Sequence, residues 1–136
     1  MSNGASEQSW GLTVLRVVVG IVFVIHGGQK LFVFGIHGVG GMLGTLGIPL
    51  PMVAAVVVSM VEFFGGLALL SGFLVRWAAP LIAIDMLVAI LVVHLKNGFF
   101  NPKGFEYPLT LLAACITLMF AGAGAASVDG ALTKRM

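Results

Sequence analysis

His26 and Lys30 stand four residues apart in an apolar run, so a helix would carry both on nearly one face. Such a pair can grip a carbonyl or anionic oxygen, and the imidazole can pass a proton near neutral pH. The structural alternative is a hydrogen bond for His26 and a lysine stem that snorkels to an interface. Glu62 and Asp85 each lie deep inside further apolar runs. At the centre of a bilayer an acid costs about 2.5–3.5 kcal/mol unless paired or hydrated, which makes both functional candidates by default. Glu62, close to the Gly65-Gly66 pair, reads as a proton donor or acceptor or as counter-ion to a ligand. The alternative is an ion pair stapling two helices. His94 and Glu106 complete the ionisable set, and a carboxylate at Glu106 also suits the N-terminal dipole of a helix.

Other chemistries are poorly served. His26, His37 and His94 show no HxxxH or HExxH spacing, so no metal site is expected; a bis-histidine haem on His26 and His94 is the remaining metal alternative. Cys115 is the single cysteine and reads as a packing or lipid-facing residue, with no CxxC motif to support redox work. The glycines at 38, 40, 41 and 44 resemble a nucleotide loop only superficially, because no strand precedes them and no acidic residue follows at the required distance.

These side chains need elements to hold them, and composition dictates which. Of 136 residues, 60% are hydrophobic and only 9% charged, against about 25% charged in soluble domains. The mean hydropathy is +1.13. The net charge of +2, without a basic cluster beyond Lys134-Arg135, argues against nucleic acid. Four apolar segments, near 12–32, 52–70, 77–95 and 107–121, approach the roughly 20 residues that cross a bilayer. Pro49 and Pro51, Ser71-Gly72, and Asn97-Gly98 with Pro102 punctuate them. The expected fold is all-α: one domain over 1–136, an integral membrane four-helix bundle in contact with lipid. Between the first two spans, Val39, Met42, Leu43 and Leu46 fall at i, i+3, i+4 and i+7, predicting a short interfacial or re-entrant helix over the outer mouth. The N-terminus lacks a basic n-region, so the first span is expected to be retained.

Wheel arithmetic assigns each span an inward stripe of small and polar residues, the kind that lets helices approach closely. The stripes are Arg16, Gly20, Phe23, Gly27 and Lys30, with His26 on the flank; Ala55, Ser59, Glu62, Gly66 and Leu69; Ala78, Asp85, Ala89 and Lys96; and Glu106, Thr110, Ala113, Thr117 and Gly124. Glu62 and Asp85 fall near the midplane, His26 roughly 5 Å further out, and Lys30, His94 and Glu106 roughly 10–15 Å out. Each acid is expected to be neutral or paired with His26, Lys30 or Arg16. Arg16, Arg76, Lys134 and Arg135 outnumber Lys30, Lys96 and Lys103, which places both termini in the cytoplasm. Trp10 and Trp77 then anchor the inner interface and Tyr107 the outer.

The ordered set Leu15-Arg16, His26-Gly-Gly-Gln-Lys30-Leu, Leu46-Gly-Ile-Pro49, Glu62-Phe-Phe-Gly65-Gly66, Gly72-Phe-Leu-Val-Arg76, Met86-Leu-Val-Ala89, His94 with Asn97-Gly98-Phe99, and Gly104-Phe-Glu106-Tyr107 resembles the DoxX family of small bacterial membrane proteins. The resemblance runs from about residue 12 to 129. It implies a four-helix bundle in the bacterial cytoplasmic membrane. Members include a subunit of an archaeal thiosulfate:quinone oxidoreductase and a mycobacterial component of a redox and thiol-homeostasis complex, while many have no assigned activity.

The expected function is a component of a quinone-linked oxidoreductase or thiol/redox homeostasis system, without a commitment to its being an enzyme alone. Glu62 and His26 take the proton-handling role, and Lys30, Gln29, Asp85, His94 and Glu106 hold a quinone. Two alternatives stay open: a non-catalytic scaffold that docks soluble redox proteins, and a proton-coupled small-molecule transporter, for which a homodimer would supply eight helices.

Overall fold

The computed structural model describes residues 2–135, of which none forms a strand. The chain opens with α1 (Ser2–Gly28), continues through a π-helical stretch at Gln29–Phe34 and passes directly into α2 (Gly35–Thr45). Asn3–Thr45 is thus 43 consecutive helical residues. Straight, that run would reach about 65 Å, roughly twice the hydrocarbon thickness, so it must bend. The bend falls at Gly35, whose φ of 73° is open to a residue without a Cβ. Beyond it, α2 lies against α3 (Pro51–Ser71), burying Val39 and Leu43 on Ala55. This is the short helix between the first two spans.

Pro51 opens α3 at a position where its missing N–H costs nothing, and Gly72 closes it in the left-handed conformation. Phe73 N–H donates to Ala68 O at 2.9 Å across that closure. Then α4 (Val75–Ala89) runs on through a π-helical stretch at Ile90–His94 and a 3₁₀ turn at Leu95–Asn97. The fourth bundle helix, α5 (Glu106–Ala121), has 16 residues, and a polar α6 (Val128–Arg135) follows. Asn3–Thr45, Pro51–Ser71 and Val75–Asn97 are long and apolar enough to cross a bilayer; α5 is apolar but shorter. The result is an all-α membrane bundle.

Two inward stripes match the wheel closely. On α3 the buried residues are Ala55, Ser59, Glu62, Gly66 and Leu69, and on α1 Arg16, Gly20, Phe23 and Gly27 are buried too. Small residues bring these two helices into backbone contact: a Cβ on Gly66 would stand 2.6 Å from Val24 N. The α5 stripe is a correction. Thr110, Ala113 and Thr117 are exposed, while Pro108, Leu111, Cys115 and Leu118 face the core. Each threonine hydroxyl donates to the carbonyl four residues back, Thr110 to Glu106 O at 2.8 Å and Thr117 to Ala113 O at 2.9 Å. A hydroxyl satisfied by its own helix can face lipid, so it does not mark the interior. Lys96 is likewise exposed rather than inward.

Arg16 is a second correction. It is inward, at 1% exposed, but does not pair with Glu62 or Asp85. Its Nε donates to Ala123 O at 2.7 Å and Nη1 to Leu69 O at 2.6 Å and Leu70 O at 3.0 Å, while Nη2 donates to Ala126 O. A fixed fork of donors thereby collects carbonyls from the C-terminal end of α3 and from the segment after α5. Asp129 of α6 completes this end, accepting from Leu74 N at 2.8 Å and Val75 N at 3.0 Å at the start of α4. The terminal end of the bundle is therefore tied shut, and the ionisable groups gather at the other.

Candidate functional site

In the half of the bundle remote from the termini, the helices enclose a cavity of about 400 Å³. Its walls are mostly apolar, with Phe23 from α1, Leu43 from α2, Val58 from α3, Met86 from α4 and Leu111 from α5. Into it come His26, Lys30, Glu62, Asp85 and His94. A volume within the roughly 300–1,000 Å³ of small-molecule sites, apolar with a few convergent polar groups, has the character of a ligand pocket.

The π-helical stretch after Gly28 places Lys30, whose Nζ lies 2.6 Å from Glu62 Oε2. The approach is outside the angle of a directed hydrogen bond, so the contact is an ion pair. Glu62 is only 4% exposed, held in the middle of α3's inward stripe. Asp85, on α4, lines the same cavity as Glu62 and Lys30. No donor reaches Asp85 Oδ2. Three helical segments thus deliver one cation and two acids to one cavity.

His94 enters from the end of α4's π-helical extension. Its Nδ1 lies 3.0 Å from Lys103 O, a group that only accepts, so Nδ1 carries the hydrogen and Nε2 is left free of that bond. Asn97 fixes the same loop, donating to Val93 O at 3.2 Å and Lys103 O at 3.3 Å. His26 lines the cavity but stays exposed, and among the described residues no salt bridge joins it to Glu62. A smaller cavity of about 270 Å³, beside Phe34, Gly38 and Val39, shares Lys30 and Met42 with the larger one.

Of the residues singled out in the sequence, His26, Lys30, Glu62, Asp85 and His94 come together, whereas Gln29 and Glu106 do not line the cavity. Gln29 is exposed beside Lys30, because neighbours in a helix point apart. Glu106 occupies the first turn of α5, where its backbone N–H donates to Phe99 O at 2.9 Å. Tyr107 and Asn101 line the cavity and were missed. Tyr107 is still largely exposed, which agrees with a place at the interface, and it reaches the cavity only from its rim. Among the described residues no three His, Cys, Asp or Glu side chains converge as for a metal ion.

Comparison with known proteins agrees with this architecture. The family model described as DoxX matches residues 11–95. An uncharacterized protein of Haemophilus influenzae is 32% identical over 99% of this chain and 100% of its own length. A Bacillus subtilis protein named "Putative oxidoreductase CatD" is 33% identical, covering 79% of this chain and 78% of its own. The inner membrane protein YqjF of Escherichia coli is 32% identical over 92% of this chain and 94% of its own. No solved structure matches the chain.

Proposed function

We propose, starting from the premise that this chain belongs to the DoxX family of membrane proteins, that its cavity receives a quinone headgroup and that the protein is the membrane component of a quinone-linked redox system. The observation that supports this reading is an apolar cavity of about 400 Å³ with Lys30, Glu62 and Asp85 in its wall. The name of the Bacillus subtilis relative points the same way, and that of the Escherichia coli relative favours the bacterial inner membrane.

A quinone bound there would supply two-electron redox chemistry. The chain's own residues do the rest. Phe23, Leu43, Val58 and Met86 exclude water and fit a flat, apolar ring. Lys30 and the hydroxyl of Tyr107 are donors for carbonyl oxygens, and His94, with Nδ1 committed to Lys103 O, offers Nε2. Glu62 holds the Lys30 ammonium in place and, with His26, handles protons at the cavity wall. The reading is tested by titrating purified protein with a ubiquinone or menaquinone analogue, comparing wild type with Glu62→Gln and His26→Ala. Saturable binding in wild type that weakens in the variants supports it. No saturable binding in wild type, or equal binding in all three, rejects it.

A further inference from the structure

Lys30, Glu62 and Asp85 do not balance in charge if all three are ionised. One ammonium shares a cavity wall with two carboxylates, leaving a net negative charge in the interior of a membrane protein, where an uncompensated charge is strongly disfavoured. The geometry does not relieve this. Glu62 is 4% exposed, and its Oε2 has only the ionic contact with Lys30. Asp85 Oδ2 is buried and no donor reaches it. The other titratable groups nearby offer no second cation held against the acids. Among the described residues His26, from α1, is exposed and forms no salt bridge; His94 turns Nδ1 to Lys103 O; Tyr107 and Cys115, from α5, carry no basic group. Arg16 is occupied by four backbone carbonyls about 21 Å along α1 from Lys30.

Glu62 and Asp85 line one cavity, each with a buried oxygen that no donor reaches, and a single ammonium stands against the two, so charge balance asks for one proton on the pair. We infer that Glu62 and Asp85 hold one shared proton, so that Lys30, Glu62 and Asp85 form an electrically neutral proton-storage site in the cavity wall. The proton belongs to the pair, as in other coupled acids, and the ion pair with Lys30 is what limits the pair to one. A ligand anion that takes Lys30 from Glu62 leaves the second carboxylate uncompensated, so anion binding at this site brings a proton with it. The inference stands on the three side chains and needs no ligand, so a failure of quinone binding would leave it intact.

Infrared spectroscopy of the protein without ligand, at neutral pH, reads the proton directly through the C=O stretch of a buried carboxylic acid. Wild type should show one such band. Both isosteric variants, Glu62→Gln and Asp85→Asn, should lose it, because each leaves Lys30 paired with a single carboxylate. Lys30→Met should instead give about twice the band area, as both acids then take a proton. Absence of the band in wild type would overturn the inference. So would its survival in either isosteric variant, which would mean that one acid is neutral on its own account.

Discussion

Lys30 and Glu62 meet at 2.6 Å although 32 positions separate them, and the contact joins the π-helical end of α1 to the middle of α3. Its consequences can be measured. In a double-mutant cycle of Lys30→Met and Glu62→Gln, with unfolding followed in mixed micelles, the two substitutions should be non-additive by about 0.5–3 kcal/mol. Additive effects would show that the two side chains do not act as a pair.

Arg16 should matter for stability and not for the cavity. Lys in its place keeps the charge but loses the planar fork that reaches Leu69, Leu70, Ala123 and Ala126. With hydrogen bonds to a charged donor worth about 1.5–3 kcal/mol each, Arg16→Lys should destabilise by at least about 2 kcal/mol. Ligand affinity of the folded fraction should be unchanged, which a binding titration after removal of unfolded protein would check.

The α1–α3 contact depends on the absence of side chains. Gly66→Ala puts a Cβ 2.6 Å from Val24 N and should cost about 1–3 kcal/mol by forcing the helices apart. Gly41→Ala, in α2 with nothing within 4 Å of the added atom, should be neutral or stabilising by about 0.5–1 kcal/mol. Equal destabilisation by both would contradict the close crossing.

Filling the cavity should separate fold from function. Ala89 lines it and is only partly buried by its neighbours. Ala89→Phe should leave the helical content intact while lowering affinity for a quinone analogue about tenfold or more, the equivalent of about 1.4 kcal/mol. Unchanged affinity in a folded variant would place the ligand elsewhere.

What could be read in the sequence follows from how each residue satisfies its polar atoms. On α3, Ser59, Glu62 and Gly66 recur at helical spacing among β-branched residues, and the face they define is the buried one. Glu62 and Asp85 were legible as partners for a cation because an acid in an apolar run has few ways to exist. The α5 face was not legible, since Thr110 and Thr117 bond back to their own helix and leave Cys115 and Leu118 to pack. The inward position of Arg16 was legible but its partners were not: they include the main-chain carbonyls of Ala123 and Ala126, more than a hundred residues away, which no side-chain pattern announces. Tyr107 and Asn101 reach the cavity through the loop and helix start that Glu106 and Gly104 set, with Gly104 N donating to Phe100 O at 2.8 Å.

The most direct test of a ligand-holding cavity is photolabelling with an azido-quinone analogue in lipid vesicles, followed by peptide mapping. Label should fall on the cavity-lining residues Met86, Ala89, Val92 and Val93 of α4 and its π-helical extension and on Pro108 and Leu111 of α5, and excess unlabelled quinone should remove it. Label confined to outward residues such as Leu81 and Phe120, and insensitive to competitor, would show that quinones meet this protein only as solutes of the surrounding lipid.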